Sequence, residues 1–540
     1  MNISKIMNIY LYNQFGGKIK KKWNTLKHNG VLFPSEYISH GMPLICKGEY
    51  IYLDKEAEEI ATMYAKYIET EYIKNNIFRN NFWKDWKRVL NKKYNINSLD
   101  ECDFSLIYKH ILEQINKKND NIQKENEDKY KIAIVNGKEQ PVGNYRIEPP
   151  GIFIGRGCNP KLGKIKKRIY PEDIIINIDK ESEIPELKEG HKWRKIIHNK
   201  YTEWLAAWRD NITGKIKYVW LGSYSDVKKK NDIDKFDLAR KLKKKIKNIM
   251  EINYTNLSSE KSYMRQISTA LYLINKLALR VGNEKGDDEV DTVGITSLRL
   301  EHITFLDNNN ITLNFLGKDS IQYINTVEIE SIIYNNLKEF CNNKNKYDEI
   351  FDINANDINK YLQSFMKGLT AKVFRTYNAS NLFQKELQKI TKRYSKIFNT
   401  IDNKNDKINI LINEFNSANA KVALLCNHQK SISKSFNKGI ENIDNHIKII
   451  KEKITKIHKL KKNLDLINKL KDQLIKLKNK KELKIQLKNI SLGTSKINYI
   501  DPRITIAFMK LHNLNIDKVF SKTLQEKFLW AFNVDSTFIY

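Results

Sequence analysis

Apolar and polar positions change texture along the chain. Between about Trp23 and Trp220, aromatic-rich strand-like pieces alternate with Pro and Gly turns and some helical windows. Ala57 to Leu90 has apolar residues at helical spacing and ends in IFRNNFWKDWKRVL, which predicts a helix. A second helical stretch, Tyr108 to about Tyr130, is highly charged and should project into solvent or lie along a polyanion. From roughly Asp226 to Lys430 helical periodicity dominates. Within it, Ser268 to Leu279 carries Leu271, Ile274 and Leu277 on one face, and Gly282 supplies a stop. NITLNFLGKDSIQYIN (Asn310 to Asn325) alternates through Ile311, Leu313 and Phe315, breaks at Gly317-Lys318-Asp319, and resumes at Ile321 and Tyr323. That pattern predicts a β-hairpin with Lys318 at its tip. Leu362, Phe365, Met366, Leu369 and Val373 make the apolar face of one further helix. SANAKVALLCN reads as a small helix opened by Ser417 and ended by His428.

Beyond Lys430 the texture becomes heptad. Phe436, Ile440, Ile443, Ile447, Ile450, Ile454 and Ile457 are separated by alternating steps of 4 and 3, an a/d seam. Leu464, Ile467, Leu474, Leu477, Leu483 and Leu487 continue it in looser phase. Between Ser431 and Ile490 there are 17 Lys against 6 Asp plus Glu, so this is a basic coiled coil. It is either one rod or two helices folded back near Lys461 to Asn463, where no Gly or Pro marks a turn. Ser491 to Tyr540 is helical, with Gly, Asp and Pro punctuation at its start. The chain therefore divides into a tail (1–20), a mixed α/β lobe (21–225), a helical core lobe (226–430), the linker (431–489) and a C-terminal domain (490–540). The expected fold class is multidomain α+β.

Composition narrows the partners. At 540 residues and 41% hydrophobic content the chain can build several buried cores. Its formal net charge of +32 favours a polyanion, although Asn, Ile, Lys and Tyr are also what an AT-rich genome over-supplies. The 5 cysteines are odd in number and contain no CxxC pair, which argues against a disulfide framework and a zinc site and fits a reducing compartment. No apolar run reaches the ~18 residues of a membrane span, so a soluble, intracellular chain with no membrane partner is expected. There is no GxxxxGK[ST] loop and no HExxH. GDDEVD (Gly286 to Asp291) reads as a solvated acidic loop rather than a magnesium site, because hard-metal sites also need ligands from elsewhere.

The residues that carry chemistry stand out through their local settings. Arg280 lies at the end of a packed helix; alone, it would simply pair with the helix dipole. Lys318, on a hairpin tip, is placed to enter a groove of DNA or merely to be solvated. Lys372 and Arg375 share a helix. Tyr499, one of 27 tyrosines, precedes Asp501-Pro502, an N-cap and first helical residue, so dipole and free N–H groups there suit a phosphate.

Taken in order, LALRVGNEK, FLGKDS, GLTAKVFRTYNAS, VALLCNHQ and GTSKINYIDPRIT resemble the signature segments of eukaryotic DNA topoisomerase I, the type IB enzymes. IEPPGIFIGRG, RIYPEDIIIN, GHKW and AEEIATMYAKYIETEY extend the likeness through the N-terminal half, to about residues 20–540, weakest from Ile96 to Gln140 and in the linker. The resemblance implies a bilobed clamp on double-stranded DNA, with a catalytic lobe of the tyrosine-recombinase type. It also implies an antiparallel linker hairpin and a C-terminal domain delivering a tyrosine. It departs from the family in its short N-terminal tail, with only GKIKKKW of the usual lysine-rich extension, and in Ile154, where a second arginine is common.

On that resemblance Tyr499 attacks phosphorus and becomes joined to the 3′ phosphate. Arg280 and Arg375 stabilise the non-bridging oxygens, Lys318 protonates the 5′ oxygen, and His428 bonds one non-bridging oxygen, with a general-base role left open. The base that takes the tyrosine proton is not identified, water being the usual proposal. DNA contacts are expected at Arg156, Lys372, Thr494, Asn498 and Asp319. Camptothecin would stack in the nick beside Arg156, Asp319 and Asn498, near Phe153 and Gly493. No metal, ATP or other cofactor, a monomer, and a nuclear or other DNA-containing compartment are implied. A tyrosine recombinase and a catalytically silent DNA clamp are the rival expectations. Independently of the resemblance, His428 and Tyr499 must meet across the seventy residues between them for this chemistry to work.

Overall fold

The computed structural model describes residues 21–540 apart from 91–92, 118–126, 156, 283–289, 398–403, 431, 433–434 and 460–463. It mixes helix and strand, as expected, and divides into two compact units: the described residues up to Lys230, together with Val290, form the first, and the other described residues from Asn231 to Tyr540 the second.

In the first unit the described strands are β1 (Leu26–His28), β2 (Leu44–Cys46), β3 (Glu49–Ile51), β4 (Cys102–Asp103), β5 (Ile132–Val135), β6 (Lys138–Pro141), β7 (Gly151–Ile152), β8 (Ile165–Lys166), β9 (Ile175–Asn177), β10 (Lys195–Ile197), β11 (Trp204–Arg209) and β12 (Ile216–Trp220). They form sheets ordered β1-β5-β6, β3-β2-β4 and β10-β9-β11-β12, and the pair β7-β8. The central strands β9 and β11 are almost wholly buried, which is why III and WLAA read as unbroken apolar runs. A second core lies under helices α1 (Lys55–Ala65) and α2 (Asn76–Leu90), where Phe78, Phe82 and Trp86 are fully enclosed and Tyr64 stacks on Phe82 at 4.4 Å. The single helix expected over Ala57–Leu90 is thus two. Thr70 accepts from the Tyr72 amide, and Asn75 accepts from the Ile77 and Phe78 amides, so capping side chains restart the helix. The charged stretch from Tyr108 is helical in α3 (Ser105–Lys117); residues 118–126 lie outside the described residues.

The second unit is built on α4 (Asp226–Asn256), α5 (Ser262–Leu277), α6 (Ser331–Cys341), α7 (Ala355–Phe365), α8 (Ala371–Ile397), α9 (Lys404–Leu425), α10 (Phe436–Lys459), α11 (Leu464–Gln486), α12 (Leu492–Asn498), α13 (Pro502–Leu511) and α14 (Lys522–Lys527), with strands β13 (Ile303–Phe305), β14 (Asn310–Gly317) and β15 (Ile321–Glu328). Its core is continuous from Phe236 to Tyr540, so the segment after the coiled coil shares the core of the helices before it. Phe415 of α9 joins the two, 5.1 Å from Phe383 of α8 and 6.0 Å from Phe508 of α13.

The hairpin forms as read, with Gly317 opposite Ile321 and a tip of Lys318–Ser320 in which Asp319 and Ser320 take positive φ. The heptad segment is two helices folded back rather than one rod. Lys481 of α11 pairs with Asp444 of α10 at 2.6 Å, and Lys484 and Lys488 lie over the ring of Phe436. The turn region 460–463 is outside the described residues.

Three local expectations are corrected. The face from Leu362 to Val373 belongs to two helices, α7 and α8, because Gly368 adopts φ 79° and breaks the run. Ser417 lies inside α9 and caps nothing, since the buried row Leu411, Phe415, Ala418 and Val422 carries the helix back beyond it. α5 ends at Leu277, with Ala278 in the left-handed region (φ 48°), before Gly282 is reached.

Phe415→Ala should cost the second unit about 3–5 kcal/mol, the usual price of a deleted core aromatic. Thermal unfolding checks it; a cost under about 1 kcal/mol would contradict the joint core.

Candidate active site

Arg375 sits at the centre. It lies on the second turn of α8 and is only 5% exposed. Its Nη1 donates to the carbonyl of Ala278 and its Nη2 to the carbonyl of Cys426, both at 2.8 Å. These are the spent ends of α5 and α9, where carbonyls lack intrahelical partners. The left-handed turn at Ala278 exposes the first. The third nitrogen, Nε, is buried without a partner.

Arg280 is not on the helix end but three residues past it, in an irregular strip; its carbonyl accepts from the Ile295 amide at 2.9 Å, and the next carbonyl, of Val281, accepts from the Thr296 amide. The strip is held close by two glycines. A Cβ on Gly294 would stand 2.3 Å from Gly282 Cα. The neighbouring Val293 amide donates to Leu316 of β14, which ties the strip to the hairpin that carries Lys318.

His428 follows the C-terminus of α9. Asn427 takes φ 50°, and the His428 amide reaches back to the Ala423 carbonyl at 2.8 Å, closing the helix in a Schellman-type turn. The carbonyl of His428 then accepts from the Ser491 amide, and Gln429 bridges Ile490, so the two ends of the coiled coil meet. The ring is buried; its Nδ1 is 2.7 Å from Ser495 Oγ and its Nε2 has no partner. Tyr499 caps α12, with its ring centroid 5.1 Å from that of His428 and 5.1 Å from the Arg375 guanidinium carbon. Its carbonyl accepts from Ser380 Oγ, which in turn accepts from the Asp501 amide, both at 3.0 Å. His428 and Tyr499 do meet.

The expectation of free N–H groups at the next helix is corrected. Asp501 caps α13 through the Arg503 amide and is itself held by the Arg503 guanidinium, so that helix start is already occupied by a carboxylate. The anion-attracting groups are instead the arginines. Burial alone would raise the Tyr499 phenol, but the charges of Arg375 and Arg280 and a hydrogen bond from Arg280 outweigh it and bring the phenol below its ordinary range. Burial, then Arg375 and Arg280, push His428 down to about 3, so its imidazole is neutral. The Tyr499 phenol therefore lies beside one free guanidinium nitrogen, one free imidazole nitrogen and Arg280, surroundings suited to an oxyanion.

Lys318 is not in this cluster. It is exposed on the hairpin tip, and no hydrogen bond or ion pair joins it to the other four. The hairpin does approach them, since Asn427 and Gln429 each donate to the Gln322 carbonyl at 3.5 Å. Asp319 and Asn498 are exposed, Lys372 is exposed on the first turn of α8, and Thr494 is half-buried against Ser491. Arg156 is outside the described residues, as is the acidic loop up to Glu289; Asp291 pairs with Arg299. Reading residues singly missed Ser380, Ser495 and the two carbonyls under Arg375. Only Ser495 left a signal, standing four residues before Tyr499 on the same helical face.

Arg375→Ala would strand two buried carbonyls and should cost about 3 kcal/mol of stability. Arg280→Ala, at a half-buried strip, should stay within about 1 kcal/mol. Urea unfolding compares them; equal costs would show that Arg375 is not the buried support described.

Residues 21–221 match the profile described as eukaryotic DNA topoisomerase I, DNA binding fragment; residues 224–461 match its catalytic core; and 471–540 match a C-terminal topoisomerase domain. The chain is 41% identical to DNA topoisomerase 1 alpha of Arabidopsis thaliana over 96% of its own length and 59% of that protein. It is 42% identical to DNA topoisomerase 1 of Caenorhabditis elegans over 96% of this chain and 67% of that one. It is 39% identical to DNA topoisomerase 1 of Homo sapiens over 95% and 71%. It thus spans about three fifths of the Arabidopsis proteins' length. With each part of the chain matched in order, and the clustered side chains lying within the matched segments, the chain belongs to the eukaryotic DNA topoisomerase I family.

Proposed function

We propose that this chain is a type IB topoisomerase that relaxes supercoiled double-stranded DNA without ATP, by breaking and resealing one strand through a 3′-phosphotyrosyl bond. The observation that carries the reading is the meeting of Tyr499 with Arg375, Arg280 and His428 across the folded-back linker. In this reading the chain acts as a monomeric bilobed clamp on nuclear or other chromosomal DNA. Residues 21–225 form the cap, 226–430 a catalytic lobe of the tyrosine-recombinase type, 431–489 the linker, and 490–540 the domain bearing the nucleophile. Net charge of +32 supports the polyanionic partner.

Tyr499 Oη attacks phosphorus in line, and the bond to the 5′ oxygen breaks. Arg280, Arg375 Nε and His428 Nε2 donate to the non-bridging oxygens, where negative charge grows in the five-coordinate transition state. Lys318, reaching the site from its exposed tip once DNA is bound, gives the leaving 5′ oxygen its proton. The tyrosyl ester conserves the bond energy, so the 5′ hydroxyl can return and reseal the strand. Lys372, Thr494, Asn498, Asp319 and Arg156 contact DNA around the nick, mostly at phosphates, which position without reading sequence.

Supercoiled plasmid incubated in EDTA without ATP should be relaxed by the wild type, and Tyr499→Phe should abolish relaxation while binding duplex DNA as before. Retained relaxation in that variant would overturn the assignment.

Single-turnover cleavage should rise with pH as Tyr499 loses its proton and level off below the ~10 of an ordinary phenol; Arg280→Ala should move that rise to higher pH. No inflection near the ~6.5 of free histidine is expected, because His428 is neutral throughout. An inflection there that His428→Gln removes would contradict the electrostatics.

Camptothecin should make 3′-linked adducts accumulate on labelled duplex, since Asp319 and Asn498 are exposed chain neighbours of Lys318 and Tyr499. Failure of adducts to build up with an active enzyme would show that the drug's contacts are arranged otherwise.

A further inference from the structure

The donation proposed for His428 Nε2 requires that nitrogen to carry the imidazole's one proton, and the buried hydrogen bonds of the site bear on what puts it there. A neutral imidazole has one N–H and one lone pair, and the partner of one nitrogen decides the role of the other. Here Nδ1 faces Ser495 Oγ at 2.7 Å and Nε2 is buried with no partner. Ser495 is itself completely buried, and among the described residues its hydroxyl has His428 as its one hydrogen-bond partner.

The hydroxyl proton must therefore go to Nδ1. Were Nδ1–H the donor, the Ser495 proton would be left buried without an acceptor, at the cost that unsatisfied buried donors carry. The opposite arrangement leaves only the Nε2–H without an acceptor, one unpaired group in place of two, and that N–H is the one a phosphate oxygen would meet. We infer that Ser495 is a positioning residue: it donates to His428 Nδ1 and so holds the imidazole in the Nε2–H form that the donation proposed above requires. The depressed basicity of the ring agrees, because a protonated ring would need Nδ1 as a donor too.

The geometry also explains how the linker enters the chemistry. Ser495 lies on α12, beyond the coiled coil, and His428 just before it, so the tautomer is set only when the two ends have closed. Tyr499 stands one helical turn after Ser495, and its amide bonds the Ser495 carbonyl at 3.0 Å. One short helix thus orients both the nucleophile and the donor beside it.

This inference rests on the proposed function, but its first test does not need activity. In full-length protein labelled with 15N-histidine, with the His428 signal assigned by its loss in His428→Gln, long-range 1H–15N correlation should show Nε2 protonated and Nδ1 bare. Ser495→Ala, which keeps the helix, should convert this to a mixture of tautomers. A wild-type ring protonated at Nδ1 overturns the inference whatever the enzyme does.

In single-turnover cleavage, Ser495→Ala should slow the chemical step roughly threefold to tenfold, the worth of one hydrogen bond, with duplex affinity unchanged. Ser495→Cys, a weaker donor of similar size, should fall between. Ser495→Ala should add nothing in a His428→Gln background. A full additional loss in that background would show that Ser495 acts on something other than His428. If Tyr499→Phe still relaxes plasmid while His428 is Nε2-protonated, the proposed function fails and the tautomer assignment stands.

Discussion

A guanidinium enclosed in protein has to be surrounded by acceptors, and Arg375 finds them in the unpaired carbonyls at the ends of two helices. Ala278 closes α5 and Cys426 nearly closes α9, so one side chain fixes both helix ends relative to α8. Each of the other site residues is then hung from one of those ends. Arg280 follows two residues after Ala278, and His428 two residues after Cys426. Tyr499 reaches the same place from beyond the coiled coil and lays its ring against the guanidinium. Removing the charge would therefore both unseat the support and take away what lowers the phenol.

This arrangement lets a buried cation serve structure and chemistry at once. Two nitrogens hold carbonyls while Nε, and the charge itself, remain available to an incoming anion. In the proposed tautomer, neutral His428 adds a donor without adding a third positive charge beside Arg375 and Arg280. The separation of Lys318 from this cluster also has a physical reason. In the proposed mechanism the proton donor to the leaving oxygen belongs on the far side of the phosphorus from the nucleophile, and an exposed hairpin tip could be carried there by bound DNA, whereas a buried lysine would lose its charge to desolvation.

Much of this could be read from residues alone, and what could not has particular causes. The hairpin around Lys318 was legible because period-two alternation and a Gly-Lys-Asp break are both local signals. The heptad seam was legible, but not its folding back, because no Gly or Pro stands at 461–463 and antiparallel pairing depends on contacts such as Asp444–Lys481, 37 residues apart. Ser417 looked like a cap only because its own hydroxyl was considered without the buried row that continues behind it. Gly368 and Ala278 broke helices that apolar spacing alone would have carried through, since spacing reports faces and not φ. Motif order pointed to Arg375, Arg280, His428 and Tyr499 together, yet not to Ser380 or Ser495, whose roles are hydrogen bonds to residues 119 and 67 positions away.

The proposed reaction turns on one covalent event at one side chain. Wild-type protein can be trapped on a nicked or suicide duplex, digested with protease and nuclease, and the nucleotide-bearing peptide sequenced by mass spectrometry. The proposed reaction yields a single adduct, on Tyr499, joined through phosphate to the 3′ end of the broken strand. An adduct on any other residue, or one joined to a 5′ phosphate, would contradict it.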